Sequence, residues 1–147
     1  MNRKIKFKAY LKKIHKIVEV SEINFRKGWI EYYDYETQEY VDYKCEDTDD
    51  LLESNEIVLM QYTGFKDCDG KEIYEDDIIE CKTRFDVLYG TIKFGNKKCD
   101  WETDYHTGWY IQWKKMTNYR GEISWWQEEH KLKIVGNKNL KLSLEVE

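Results

Sequence analysis

Leu59-Met60-Gln61-Tyr62-Thr63-Gly64-Phe65-Lys66-Asp67-Cys68-Asp69-Gly70-Lys71-Glu72-Ile73-Tyr74-Glu75-Asp76-Asp77-Ile78-Ile79-Glu80-Cys81 is the stretch whose reading decides the fold. Two strand-like runs flank Asp69-Gly70, a dipeptide suited to the positive φ angles of a tight hairpin turn. A second tight turn is expected behind this strand pair. A third short strand then runs to Cys81. The segment reads as strand, turn, strand, turn, strand.

On the N-terminal side, Ile5, Phe7 and Ala9 alternate with Lys4, Lys6, Lys8 and Tyr10 at the two-residue period of a half-buried strand. Ile14, Ile17, Val18 and Val20 are less regular. Trp29, Glu31, Tyr33 and Tyr35 alternate with Ile30, Tyr32 and Asp34, and residues 35–40 read as a hairpin loop. The best helix candidate is 47–55, with acids in its first turn and Asn55 to close it; a 3₁₀ turn or a loop is the alternative. On the C-terminal side, strands are expected at 57–63, 72–74, 77–83, 87–95, 108–114, 122–127 and 131–136. Trp109, Ile111 and Trp113 share one face. Many short strands with frequent turn signals imply a sandwich or a small barrel.

The quoted segment closely resembles the signature region of the YopX family, small proteins of bacteriophages and prophages with no established biochemical activity. Further anchors come in the family's order: Ile5-Lys6-Phe7-Lys8-Ala9-Tyr10 near the start, Gly90-Thr91-Ile92-Lys93-Phe94, and Ile134-Val135-Gly136-Asn137. Three departures stand out. Asp76 occupies a turn position that usually carries Gly, the tail after Asn137 lacks the usual proline, and 97–131 is unusually rich in tryptophan. The resemblance implies a mostly β protein forming one YopX-like domain over 1–147. An SH3-like small barrel is implied over about 58–140, with an N-terminal β extension over about 1–57 and at most one or two short helices.

A chain of 147 residues suits one domain and buries roughly 70% of its unfolded surface. The 5 Phe, 6 Trp and 12 Tyr can fill a sizeable core and argue against disorder, while 36% charged residues suit a well-solvated surface. No apolar run approaches the ~20 residues needed to cross a bilayer, and the basic N-terminus lacks the apolar stretch of a signal peptide. The expectation is a protein of the bacterial cytoplasm without membrane association. Cys45, Cys68, Cys81 and Cys99 form no C-x-x-C pair and are expected to be reduced thiols, with Cys81 buried and Cys68 exposed.

No Walker loop, G-x-G-x-x-G, H-E-x-x-H or G-x-S-x-G occurs. A Cys99–His106 nucleophile pair can be drawn, but any chain with four Cys and three His offers such pairs. Asp67-Cys68-Asp69-Gly70 superficially suggests a calcium loop. With Gly70 in the sixth position, however, Phe65 falls first and Asp76 twelfth, so the pattern fails. The segment is read as a turn; no metal, cofactor or catalytic residue is assigned, and no enzymatic activity is expected.

Charge is segregated. Residues 1–18 carry Arg3, Lys4, Lys6, Lys8, Lys12, Lys13 and Lys16 and no acid, whereas 31–56 carries eleven acids against Lys44 alone. The basic strand with Phe7 and Tyr10 suggests phosphate contact and base stacking, yet the net charge of −5 opposes a polyanion. Lysines on an edge strand also deter aggregation. Pairing of basic and acidic segments, within one subunit or between subunits, is preferred to nucleic-acid binding. Read as a strand, Trp125 and Trp126 point to opposite faces, so one of them is expected at the surface, under the Lys114–Arg120 loop, or in an interface, with coverage by that loop preferred. The candidate binding face is Lys4, Lys6, Lys8, Lys12, Lys13, Lys114, Lys115, Arg120, Trp125 and Trp126. The expected role is a non-enzymatic β-rich binding module that self-associates and meets an unidentified phage or host protein. The alternative is a nucleic-acid-binding phage regulator.

Overall fold

The computed structural model describes residues 4–98, 105–114 and 120–140; the side chains of 97, 98, 105 and 106 lie outside that description, as do Cys99, Lys115 and the tail after Leu140. Contacts divide the chain into two compact units, residues 1–62 and 63–147.

The first unit is an antiparallel meander of β1 (Phe7–Leu11), β2 (Lys16–Asn24), β3 (Trp29–Asp34) and β4 (Glu39–Lys44), with β5 (Ile57–Lys66) returning beside β1. The strand order is β4-β3-β2-β1-β5, and β5 runs on across the boundary into the second unit. Alternation places Ala9, Leu11, Val18, Ile30, Tyr32 and Ile57 in one buried cluster with Cys45 and Leu51. The expected helix at 47–55 is only a 3₁₀ turn, Leu51–Glu53, capped by Asp50 accepting from the Leu52 amide. Its neighbourhood is tied down by side chains instead. Asp47 accepts from the Asn55 amide at 2.7 Å and the Ser54 hydroxyl at 2.9 Å, and the Cys45 thiol donates to the carbonyls of Gly28 and Thr48. Such local side-chain bonds compete with helix formation.

In the second unit, β6 (Glu72–Tyr74) lies beside the end of β5, where the Thr63 hydroxyl donates to the Ile73 carbonyl at 2.8 Å. A four-stranded antiparallel sheet follows, in the order β10-β7-β8-β9. Its strands are β7 (Asp77–Lys82), β8 (Val87–Lys98), β9 (Tyr105–Trp113) and β10 (Leu132–Asn137). The anticipated turns are present, with Gly70 at φ +82° and Asp76 at φ +70°.

Asp67, almost fully buried, organises the first of these turns. One carboxylate oxygen accepts from the amides of Asp69 and Lys71, both at 2.9 Å, and the other accepts from the Ile134 amide at 3.1 Å. Asp77 does the same for the second turn, accepting from the Tyr74 amide at 2.8 Å and the Asn137 side-chain amide at 3.1 Å. The two tight turns are thereby fastened to β10. Gly90 on β8 sits opposite Trp113 of β9: a Cβ there would lie 2.5 Å from Ile111 and 2.9 Å from Trp113. A bare strand residue gives those large side chains room to enter the core.

The architecture is mostly β, with two antiparallel sheets. Among the described residues neither sheet closes on itself, so over 58–140 the strand pairing is open and a closed barrel is not seen. The strand expected at 122–127 is instead an α-helix, α1 (Ile123–Glu129). Ile123 and Trp126, one helical turn apart, both enter the core, and Gln127, Glu128 and Glu129 are good helix formers. Trp113 and Trp126 are 1% and 2% exposed, and both indole N–H groups donate to the Arg120 carbonyl, at 3.2 and 2.7 Å. These two tryptophans of the Trp-rich region are therefore core. No helix among the described residues is long and apolar enough to cross a membrane.

Replacing either of these glycines by alanine is expected to lower stability, each for its own physical reason. Gly90→Ala forces core side chains apart and should lower unfolding free energy by roughly 1–3 kcal/mol, the usual cost of overpacking. Gly70→Ala meets open space and carries only the backbone penalty of roughly 1–2 kcal/mol. Urea unfolding checks both, and a near-neutral Gly90→Ala would contradict the packing described.

Candidate binding cleft

The β3–β4 hairpin is built by alternation and a side-chain-organised loop. Asp34 accepts from the Glu36 amide at 2.9 Å, the Gln38 amide donates to the Asp34 carbonyl at 2.7 Å, and Gln38 takes φ +59°. With Ile30 and Tyr32 directed into the core, Glu31 and Tyr33 fall on the other face. Register places Tyr33 opposite Tyr40 and Glu31 opposite Asp42.

The pairing of β3 with β2 begins at Val20↔Tyr32, with a bulge between Val20 and Glu22. Beyond that pair an open cleft of about 320 Å³ is lined by Lys8, Lys16–Glu19 and residues 33–36. Its walls are bridged on two sides. The Tyr35 hydroxyl donates to Glu19 at 3.0 Å, and Lys16 lies 3.8 Å from the Asp34 carboxylate. The hydrogen bond to Glu19 raises the Tyr35 pKa, keeping the phenol a neutral donor.

Tyr33 stacks edge-on against both Tyr35, at 4.9 Å between centroids, and Tyr40, at 5.1 Å. Tyr35 and Tyr40 remain 68% and 65% exposed. The hairpin thus presents a fixed aromatic surface at the mouth of the cleft. The sequence places Tyr33 and Tyr35 on a strand and Tyr40 at the end of a hairpin loop, but none of the three is among the candidate site residues read from it. The available signal was their placement at 33, 35 and 40, same-face positions across a short loop.

The lysines named from sequence are dispersed. Lys8 lines the cleft, Lys6 lies 5.9 Å above the Tyr62 ring, and Lys4 and Lys12 are exposed. Lys13 meets the acidic block within the same unit, pairing with Glu56 at 2.7 Å and Glu46 at 3.2 Å. Glu56, itself buried, also accepts from the backbone amides of Glu46 and Asp47. The Lys13 ammonium, then those amides, hold the Glu56 pKa below the ordinary carboxylate value; the same pairing raises that of Lys13. The Asn55 amide, then the Ser54 hydroxyl, lower the Asp47 pKa.

In the second unit Lys114 is exposed, while Arg120 is engaged locally. Its guanidinium lies 4.7 Å from the half-buried Trp125 ring and forms two hydrogen bonds, at 2.9 and 3.3 Å, to Glu122. Because α1 is a helix, Trp125 and Trp126 are not on opposite faces as expected of a strand. Trp126 fills the core and Trp125 borders it.

Cys81 is buried and its thiol is pushed up to about 11, while Cys68 is exposed in its turn. No group of three His, Cys, Asp or Glu among the described residues is arranged to hold a metal ion.

Two open antiparallel sheets, with an aromatic, mixed-charge cleft in the first unit, define a small, mostly β protein. The family model described as YopX protein matches residues 6–139, and the chain belongs to that family. The crystal structure of protein EF1440 from Enterococcus faecalis is similar in fold, with a TM-score of 0.61 and 18% identity, covering 97% of this chain and 99% of that one. Comparison with curated proteins gave no match.

The depressed Glu56 and Asp47 pKa values make a stability prediction. Their contribution is complete above the unfolded carboxylate pKa of about 4 and is lost as pH falls through the lower folded values. Stability should therefore fall on acidification from about pH 5 downward, through the lowered folded-state values. Glu56→Gln should lower stability at neutral pH and flatten that decline. A Glu56→Gln acid profile parallel to that of the parent would contradict the assignment.

Proposed function

We propose that this chain is a non-enzymatic, β-rich binding module encoded by a phage or prophage, acting in the cytoplasm of the bacterial host and self-associating. The observation that carries the reading is the fixed tyrosine surface at the mouth of the first unit's cleft. Tyrosine provides large contact area with little rotamer freedom to lose, and exposed aromatic patches of this kind mark interaction sites. Self-association draws support from the free edge of β4, which ends the strand order of its sheet, because an edge strand offers unpaired backbone groups to another chain.

A nucleic-acid-binding regulator is the second reading, supported by the exposed Lys4 and Lys12 and by Lys8 in the cleft. The engagement of Lys13 and Lys16 with acids of the same unit weighs against it.

Sedimentation at micromolar and tenfold higher concentration is expected to give a mass above that of the monomer. A monomer throughout, unchanged by salt, would remove self-association. Oligonucleotide titration at about 50 mM salt separates the second reading: steeply salt-dependent binding would establish it in place of the first.

A further inference from the structure

The charges of the first unit are unevenly satisfied. Lys13 is paired with Glu46 and Glu56, Lys16 with Asp34, and Lys44 with Asp49. The acids on and around the β3–β4 hairpin are not: among the described residues no cation pairs with Glu22, Glu31, Glu36, Glu39 or Asp42. Glu31 accepts only from the Ser21 hydroxyl, at 3.0 Å, and faces Asp42 across the strand pair. Like charges in direct cross-strand register destabilise a sheet unless something neutralises them. These acids surround the hairpin that carries Tyr33, Tyr35 and Tyr40, two of whose rings are about two-thirds exposed.

We propose that the face formed by Tyr33, Tyr35 and Tyr40 with Glu31, Glu36 and Asp42 docks an arginine- and lysine-rich segment of another protein. The inference rests on the binding-module reading and adds the chemistry of the partner. Guanidinium and ammonium groups stack on tyrosine faces and pair with carboxylates, so one basic segment answers both features of the surface. The acidic rim repels nucleic acid. A second copy of this chain is the weaker occupant, because Lys13 and Lys16 of its basic N-terminal segment are already paired at home and Lys6 rests above Tyr62.

The test is titration of the purified protein at about 150 mM salt with a synthetic decapeptide of alternating Arg and Lys, followed by tyrosine and tryptophan amide shifts in NMR. A glutamate decapeptide serves as the control. Saturable binding of the basic peptide is expected, with shifts centred on residues 31–42. Tyr40→Ser and Asp42→Lys should each weaken it at least fivefold, and Glu129→Lys, a charge reversal at an exposed position of α1, should change it less than twofold. Circular dichroism confirms that each variant is folded; if Asp42→Lys is not, Glu36→Lys on the hairpin loop takes its place. Equal loss from Glu129→Lys, binding indifferent to Tyr40, or no binding at all overturns the inference. Self-association is read separately by sedimentation, so an oligomer that ignores the basic peptide refutes the partner class alone. An oligomer dissolved by Tyr40→Ser also overturns it, assigning the face to a second copy.

Discussion

The second unit depends on a buried carboxylate that accepts backbone hydrogen bonds from both ends of the unit. Asp67 closes its own turn through the amides of Asp69 and Lys71 and reaches the Ile134 amide, 67 positions later. The Cys68 amide donates to the Leu132 carbonyl beside it. Hydrogen bonds to an ionised acceptor are among the stronger ones, and a buried amide left without an acceptor is costly. One side chain therefore fixes both the hairpin and the strand that completes the sheet.

The second turn repeats the arrangement with different atoms. Asp77 holds the Tyr74 amide and the Asn137 side chain, while the Asp76 carbonyl accepts from the Lys138 amide at 2.8 Å and its carboxylate from Asn139 at 3.1 Å. This gives a physical reason for the signature segment and the closing Ile-Val-Gly-Asn to occur together. They are the two halves of one hydrogen-bonded clasp. The core then fills between them, with Ile79, Ile92, Ile111, Trp113, Ile123 and Trp126 packed over a strand position that only glycine leaves open.

Much of this was legible where the determinant is local. Asp-Gly turn chemistry announced the hairpin, and the alternation of Trp109, Ile111 and Trp113 announced the buried face of β9. The α-helix at 123–129 was misread because adjacent tryptophans favour strand, whereas the core wanted Ile123 and Trp126 one helical turn apart. Closure of a barrel is a property of distant strands, and no short segment of the chain encodes it. The role of Asp67 was missed for the same reason: it was weighed as a calcium ligand, and its partner at Ile134 leaves no mark near residue 67. At the candidate site, lysines drew attention by their number, but Lys13 is neutralised by acids brought close only by folding. The tyrosines were visible as residues, yet their mutual contact requires the β3–β4 register.

Native-state hydrogen exchange of the Ile134 amide in Asp67→Ala tests the clasp most directly. Loss of the carboxylate should strip protection from Ile134 and from the Asp69 and Lys71 amides, while the Ile30 amide in the first unit keeps its rate. An Ile134 amide that exchanges as slowly in the variant as in the parent would contradict the account.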